Sequence, residues 1–388
     1  MSEAAKSTVV TIVGTRPEII RLSRIIPKLD KTYNHVFVHT GQNKDPMLNE
    51  VFFKDLDLRA PDVFLDVDIS SLGAVLGDTL KKIESVFLQH KPDAVLILGD
   101  TNSAISAVLA KRMHIPVYHM EAGNRSFDEN VPEETNRRLV DHVSDFNLPY
   151  TEHARRNLLA EGIHPRRLMM SGSPMREVLE HYRSKIESSN VLKDLGLEPQ
   201  KYFLVSAHRQ ENVDSPERLK DLLDSLKAVH DEWKLPLMVS THPRTRKKLE
   251  GIPGYKGIKG VTFHEPFGFL DYNKLQLNAK CVISDSGTIS EECSILGFPA
   301  ITIRDSIERP EALEFGGIVM TGLKAGNVLA GITEALESAE ARSSSGSHLE
   351  NSNLPQGYEI TDCSSRVVKF MLSTITRHHD WAGIRRLG

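Results

Sequence analysis

The sequence lacks the features that mark several large classes of protein. Its 388 residues include only three cysteines, Cys281, Cys293 and Cys363, without a Cys-x-x-Cys pair or metal-ligand spacing, which favours a reducing compartment over a disulfide framework. No apolar run approaches the ~18 residues of a membrane span, and the N-terminus has no signal-peptide pattern. The formal net charge is −4 with no Lys/Arg-rich block, so neither nucleic acid nor a membrane is expected as a partner. We therefore expect a cytoplasmic protein.

Two common nucleotide-binding motifs are also absent. Neither Gly-x-Gly-x-x-Gly nor Gly-x-x-x-x-Gly-Lys-[Ser/Thr] occurs anywhere in the chain, which disfavours NAD and ATP chemistry. The composition, with 40% hydrophobic and 26% charged residues, is ordinary for a globular protein. At roughly one domain per 100–200 residues, the length predicts two domains.

The chain alternates between short apolar runs and longer helical patterns, such as a predicted helix at Pro17–Leu29. The runs are nearly continuous rather than alternating, which is typical of parallel strands buried on both faces. Two such series predict an α/β protein with two doubly wound, Rossmann-like domains facing a cleft. We place the domains at 1–175 and 176–360, with their boundary near Gly172–Asn190. A C-terminal segment, 361–388, follows with a last helix at about Thr361–His378.

In such sheets the chemistry gathers where strands end at their carboxyl edge. Eight predicted strands end in polar segments, most of which join an ionisable residue to glycine or another polar residue: GTRPE, HTGQN, GDTN, EAGNR, AHR, STHPR, DSGT and RD. A charged residue at one strand end is often only the solvated start of a loop. Because so many ends share the pattern, we expect a site in the cleft.

Residues 285–292, DSGTISEE, predict an anion site. They follow a strand, open a helix and include Gly287 where backbone would approach a ligand closely. Free N–H groups at a helix N-terminus suit a diphosphate, and Glu291 or Glu292 can accept hydrogen bonds from ribose hydroxyls. The alternative, a serine cap with glutamates in the first turns, leaves Gly287 unexplained. Four arginines are available for phosphate contacts: Arg16, Arg209, Arg244 and Arg309.

The first half of the sequence contributes carboxylates rather than a predicted anion site. Asp100 and Glu121 follow strands, and Glu133 opens a helix after Pro132. A cluster of carboxylates beside a bound sugar supports proton abstraction and delivery. For Glu133 the alternative is a favourable charge at a helix N-terminus.

Seven motifs in order resemble the non-hydrolysing UDP-N-acetylglucosamine 2-epimerases: GTRPE (14–18), GDT (99–101), EAGNR (121–125), PEETNRR (132–138), SAHRQENVD (206–214), DSGTISEE (285–292) and ERPEA (308–312). The resemblance spans about Thr8 to Met320. It implies a GT-B glycosyltransferase-like fold, a homodimer, no metal or other cofactor, and a C-terminal helix that packs on the first domain. It also implies a UDP-sugar substrate and a role in cell-surface polysaccharide synthesis.

The resemblance further implies elimination of UDP to a 2-acetamidoglycal and re-addition with inverted C2. It assigns acid–base work to Asp100, Glu121 and Glu133, assistance of the leaving phosphate to His208, and a catalytic position to Arg21. The UDP-binding residues implied by the resemblance or by the phosphate argument above are Arg16, Arg209, His242, Ser286, Gly287, Glu292 and Arg309.

Two departures bear on the substrate. Arg21 stands where the family usually has lysine, and Gln42-Asn43-Lys44 replaces the Gln-His-Arg of many bacterial members in a segment that carries a second, activating UDP-sugar site. The motifs look most like the branch that converts UDP-2-acetamido-2,6-dideoxy-L-talose to UDP-N-acetyl-L-fucosamine. The alternative substrates are UDP-N-acetylglucosamine and UDP-N-acetylmannosamine. Other classes left open are a GT-B glycosyltransferase, a hydrolysing epimerase and a non-catalytic sugar-nucleotide sensor.

Overall fold

The computed structural model describes residues 6–42, 53–252, 254–344 and 354–385. The chain divides into two compact units. The first comprises Met1–His181 together with Gln356–Gly388, and the second comprises Tyr182–Pro355. Each unit contains one six-stranded sheet in which all the strand pairs are parallel.

The sheet of the first unit has the strand order β3-β2-β1-β4-β5-β6. Its strands are β1 (Thr8–Val13), β2 (Asn34–His39), β3 (Val63–Phe64), β4 (Ala94–Leu98), β5 (Val117–Met120) and β6 (Phe146–Leu148). The helices of this unit, including one that runs on into the second, are α1 (Arg16–Leu22), α2 (Ile26–Thr32), α3 (Leu72–His90), α4 (Ser106–Arg112), α5 (Pro132–Val143), α6 (Glu152–Ala160) and α7 (Met175–Ser188). Strands β4 and β5 are buried at every residue and β1 at every residue after Thr8, as is typical of a parallel sheet with helices on both faces.

The sheet of the second unit has the order β12-β11-β10-β7-β8-β9. Its strands are β7 (Phe203–Ser206), β8 (Leu237–Ser240), β9 (Val261–His264), β10 (Cys281–Ser284), β11 (Ala300–Thr302) and β12 (Val319–Met320). The helices are α8 (Val191–Asp194), α9 (Gln210–Val213), α10 (Pro216–Trp233), α11 (Pro243–Leu249), α12 (Phe269–Asn278), α13 (Ile289–Leu296), α14 (Glu311–Glu314) and α15 (Ala325–Ser344). Two apolar clusters, one on each face of the sheet, form the core of this unit.

The last helices belong to the first unit: α16 (Cys363–Thr374) and α17 (His378–Ala382), joined by a 3-10 turn. The Tyr118 hydroxyl lies 2.6 Å from Thr374 Oγ1, and the ring of Phe370 meets Phe146 edge-on with centroids 5.4 Å apart. The C-terminal segment therefore contributes side chains to the buried interior around β5 and β6.

Two sequence-based helix predictions need correction. The single helix predicted at Pro17–Leu29 is two helices, because the Pro27 ring would clash with the carbonyl four residues earlier, so α1 ends at Leu22. The last helix, predicted at Thr361–His378, is broken after Thr374 and resumes at His378. The region Gly172–Asn190, predicted as the boundary, contains α7, and the division between the two units falls within it, between His181 and Tyr182.

Candidate active site

Glu18, in the first turn of α1, links the loops that follow β1 and β4. Its Oε2 accepts hydrogen bonds from the N–H groups of Gly14 at 2.7 Å and Thr15 at 2.6 Å. Its Oε1 accepts from the hydroxyls of Thr101 at 2.8 Å and Ser103 at 2.7 Å. Burial raises the pKa of Glu18, although these donors oppose the rise. One carboxylate thus fixes two neighbouring strand ends, a role that the sequence pattern did not reveal.

Glu121 follows β5 in an unusual backbone conformation and pairs with Arg21. Its φ is +65°, a left-handed value that costs a non-glycine residue roughly 1–2 kcal/mol. Its Oε2 accepts a hydrogen bond from Nη1 of Arg21, and both side chains are almost fully buried. The fold therefore brings together two predicted catalytic residues that are 100 positions apart in sequence.

A buried ionic network holds the turn that carries Glu121. Asp141 on α5 accepts hydrogen bonds from the Gly123 N–H at 3.1 Å and Arg125 Nη1 at 2.7 Å, and its Oδ1 lies 2.9 Å from His119 Nδ1. Arg125 also donates to both carboxylate oxygens of Glu161, at 2.8 and 2.6 Å. Strained backbone persists only where the surroundings over-determine it, and this network supplies that constraint.

Asp100, after β4, is held by Arg137 of α5. Its Oδ2 accepts from Arg137 Nε at 3.0 Å and Nη2 at 2.6 Å, and Arg137 Nη1 donates to buried Glu134 at 2.6 Å. The Asp100 side chain is still 25% exposed, so a ligand can reach it. Arg137 belongs to the PEETNRR motif, which assigned it no role. It lies three residues after Glu134, and this spacing on a helix was the sign in the sequence that the two could form an ion pair.

Glu133 lies in the first turn of α5 and is partly exposed. Within the described ranges it forms no ion pair, and neither Asp100 nor Glu121 contacts it through a hydrogen bond. The neighbouring Glu134 is the buried one, and it accepts from the Ser126 N–H at 3.0 Å. Arg16, the first residue of α1, is partly exposed. The segment from Asn43 to Met47 lies outside the described residues.

In the second unit, Asp285 positions the loop that follows β7. This completely buried carboxylate accepts from the N–H groups of His208 at 3.0 Å and Arg209 at 2.9 Å, and from Asn212 Nδ2 at 3.1 Å. The His208 ring, 41% exposed, has Nδ1 3.4 Å from Asp285 Oδ1. The ring of His242, the residue before α11, lies 6.5 Å from the His208 ring between centroids.

Gly287 lies against charged side chains of the protein itself. A Cβ at this position would stand 2.6 Å from Glu308 Oε1 and 3.2 Å from Arg209 Nη2. Arg309, only 2% exposed, donates from Nη1 to the Gly287 carbonyl. A side chain at this position would therefore collide with Glu308 and crowd Arg209, which is a reason for glycine here in addition to the predicted close approach of a ligand to the backbone.

The remaining residues of the DSGTISEE motif lie around the start of α13. The Ser286 N–H donates to Ser284 Oγ at 3.0 Å, and the Ser286 hydroxyl accepts from the Thr288 N–H at 3.3 Å. Glu292 is buried and accepts from Gln276 Nε2 at 2.6 Å. The second unit thus places Arg209, Gly287 and Arg309 together at the carboxyl edge of its sheet, near the turn that contains Ser284 and Ser286.

No helix in the described part of the chain is both long enough and apolar enough to cross a membrane.

A family model described as "UDP-N-acetylglucosamine 2-epimerase" matches residues 28–372. The chain belongs to this family. Membership makes the protein a sugar-nucleotide epimerase, which is an isomerase. The family that the sequence motifs indicated is therefore confirmed.

Three relatives illustrate the similarity. The structure of UDP-N-acetylglucosamine 2-epimerase from Rickettsia bellii is 43% identical with a TM-score of 0.89, covering 98% of this chain and 100% of that one. The Methanocaldococcus jannaschii enzyme in complex with UDP-GlcNAc and UDP is 34% identical with a TM-score of 0.86, covering 94% and 99%. The UDP-2,3-diacetamido-2,3-dideoxy-D-glucuronate 2-epimerase of Pseudomonas aeruginosa is 33% identical over 370 residues, 94% of this chain and 99% of the relative.

A glycosyltransferase from Rickettsia africae shares the fold alone, with 10% identity, a TM-score of 0.57 and coverage of 97% of this chain and 100% of that one. The predicted fold class, two Rossmann-like domains of the GT-B type, is confirmed.

Proposed function

We propose that the protein inverts C2 of a UDP-N-acetylhexosamine without hydrolysing it. The observation that carries the proposal is the pair of strand-end carboxylates in the first unit, Asp100 and Glu121, each held by a buried arginine. Two acids at neighbouring strand ends suit removal of a proton from one face of a carbon and delivery to the other. Family membership supplies the class of substrate.

The chemistry requires more than a base. The C2 hydrogen of such a sugar has no adjacent carbonyl to acidify it, so its removal needs assistance from departure of UDP at C1. The bond from C1 to the diphosphate oxygen breaks as the C2 proton leaves, which produces an unsaturated 2-acetamidoglycal. UDP then adds back to C1 while a proton is delivered to the opposite face of C2. Stabilisation of charge that develops in the transition state is what accelerates such a step.

The second unit offers groups for the departing diphosphate. Arg209 and Arg309 lie beside Gly287, and His208 is half-exposed on the loop that Asp285 fixes. Guanidinium groups pair with phosphate oxygens in a bidentate manner. We propose that these residues hold UDP, with His242, Ser286, Glu292 and Arg16, and that His208 assists its departure.

Turnover in D2O tests the proposal. We expect deuterium at C2 of the sugar nucleotide, formation of the epimer and no net release of free sugar. Asp100→Asn, Glu121→Gln and Glu133→Gln should each slow exchange by about 10²–10⁴-fold, the usual cost of losing a general acid or base, while UDP binding persists. The exposed Glu180→Gln, whose partner is Arg176, is the matched control.

Other outcomes would assign other reactions. Full activity in all three acid variants would refute the assignment of the acids. Release of free sugar would indicate a hydrolysing enzyme, and transfer to an added acceptor would indicate a glycosyltransferase. Binding of UDP-sugars without deuteration would indicate a sensor.

For the sugar itself we propose UDP-2-acetamido-2,6-dideoxy-L-talose, converted to UDP-N-acetyl-L-fucosamine. The motif pattern and the pairing of Arg21 with Glu121 support this proposal, because Arg21 occupies a position where the family usually has lysine. Relatives of similar identity are named for sugars that differ at C3 and C6, so family membership leaves these substituents open.

UDP-N-acetylglucosamine is the second candidate, since the Rickettsia bellii and Methanocaldococcus jannaschii proteins are named for it. The ratio of kcat/KM for the two sugar nucleotides, measured in one preparation, separates them. A pocket that only tolerates or excludes a hydroxyl discriminates by about 100-fold, so residual activity on UDP-N-acetylglucosamine is acceptable. Equal or better turnover of UDP-N-acetylglucosamine would overturn the L-sugar proposal.

A further inference from the structure

A pocket lies in the first unit, away from the candidate active site. Its volume is about 540 Å³, within the range of small-molecule sites. Six of its lining residues are histidine, arginine or tryptophan: His142, His164, Arg166, Arg167, His378 and Trp381. They come from the end of α5, the turn after α6, and α17.

The pocket lies at the opposite edge of the sheet from the catalytic candidates. It is lined by Asp145, which precedes β6 and whose Oδ2 accepts from the N–H of Val117, the first residue of β5, at 3.0 Å. Glu121 follows the last residue of β5. At about 3.3 Å per residue, the length of β5 separates the two positions by roughly 13 Å. Asp100, Glu121 and Glu133 are not among the residues that line this pocket.

The charged side chains that line the pocket are mainly positive, and Glu161, which does not line it, lies 3.1 Å from His142 Nε2. Arg166 and Arg167 are exposed at its mouth, whereas its one lining carboxylate, Asp145, is 1% exposed and already binds Lys111 and the Val117 N–H. Burial lowers the pKa of His378. The nearby positive charges of Lys111 and Arg167 also lower this pKa, whereas the negative charge of Asp145 raises it. A concavity lined by charges of one sign attracts ions of the other.

An aromatic surface accompanies these cations. Trp381 is 44% exposed, and the Arg166 guanidinium lies 4.3 Å from the centroid of its ring. An arginine stacked on an indole is held in place without losing its hydrogen-bond donors at the guanidinium edge. Those donors form the planar fork that suits phosphate oxygens.

We propose that this pocket binds a small molecule carrying phosphate groups, at a site separate from the one that binds the substrate. The cations supply recognition of the phosphate, and the exposed indole offers a surface for a flat ring. Two sources share this chemistry, an inorganic polyphosphate and a nucleotide. The inference goes beyond the proposed function and does not depend on it.

Trp381 itself provides the reporter for the test. The chain has two tryptophans, and the other, Trp233, packs on Phe203 in the second unit. In a Trp233→Phe background we would titrate inorganic pyrophosphate and, separately, uridine monophosphate, following Trp381 emission. We expect a saturable change with pyrophosphate. Tighter binding of the monophosphate would identify a nucleotide as the ligand, and tighter binding of pyrophosphate an inorganic anion.

Arg167→Ala is the test variant, because it removes one charge from the mouth of this pocket and leaves the stack of Arg166 on Trp381. Loss of one charge-assisted contact should weaken binding about tenfold or more. Arg156→Ala, a 72% exposed arginine of the same unit, is the matched control and should bind as the parent does. Calorimetry on the chain with both tryptophans repeats the comparison without the reporter substitution.

The proposal is overturned by absence of a saturable signal in both measurements. It is also overturned if Arg167→Ala binds as tightly as the parent, since the signal then comes from binding elsewhere. Equal weakening by Arg156→Ala and Arg167→Ala would indicate nonspecific attraction and would overturn it as well.

Discussion

Gly123→Ala tests how tightly the turn that carries Glu121 is constrained. Gly123 has φ +86°, and a Cβ at this position would stand 2.2 Å from the carbonyl oxygen of Ala154 in α6. Since real Cβ atoms essentially never approach closer than 3.0 Å, the turn and α6 must move apart by most of an ångström. That movement would disturb the Gly123 N–H bond to Asp141 and the direction of Glu121.

Gly162→Ala is the matched control, because Gly162 also has φ +86° but faces open space. The backbone conformation alone should cost each variant roughly 1–2 kcal/mol. Gly123→Ala adds overpacking of a buried site, typically about 1–3 kcal/mol more. The expected totals are therefore about 1–2 kcal/mol for Gly162→Ala and about 2–5 kcal/mol for Gly123→Ala.

Thermal unfolding and deuterium exchange together measure the two consequences. A change of 1 kcal/mol shifts Tm by about 2–4 °C in a unit of 150–250 residues, so Gly123→Ala should melt several degrees below Gly162→Ala. Exchange at C2 should fall only in Gly123→Ala, measured well below its Tm. Equal Tm values for the two variants, or unchanged exchange in Gly123→Ala, would refute the reasoning that this turn positions Glu121.

Three further predictions concern binding and stability. Ser286→Ala and Glu292→Ala should weaken UDP binding by about 0.5–3 kcal/mol; unchanged affinity by calorimetry in both would place the nucleotide elsewhere. Glu308→Gln should lower the urea midpoint of unfolding, because the Glu308 carboxylate accepts a hydrogen bond from Nη1 of buried Arg304. Breaking such a buried ion pair costs about 3–5 kcal/mol. The exposed Glu314→Gln is its control. Burial raises the pKa of Glu134, but its hydrogen bonds lower it below 4.5 overall. The stability that ionised Glu134 contributes is therefore complete above pH 4.5 and is lost as the pH falls through its folded-state pKa. The difference in urea midpoint between Glu134→Gln and the parent should shrink on acidification, and a constant difference would contradict this prediction.

The sheets were predictable from sequence because parallel strands buried on both faces leave a strong local pattern. The predicted strand ends GTRPE, GDTN and DSGT begin directly after β1, β4 and β10. The two-residue strands β3 and β12 carry too few residues for such a pattern. Breaks within helices were missed at Pro27 and after Thr374, where the helical periodicity continues across the interruption.

The sequence by itself determined which residues occupy the strand ends, since the apolar runs locate the strands and the polar residues that follow them are contiguous. Tertiary structure alone decided the partners of those residues. Arg21 meets Glu121 across 100 positions, and Arg137 meets Asp100 across 37. Such pairs form because neighbouring parallel strands bring their carboxyl ends to one edge, whatever the length of the chain between them. A local sequence pattern does not show which distant residue will be the partner, so the ion pairs that orient the acids could be found only in the folded protein.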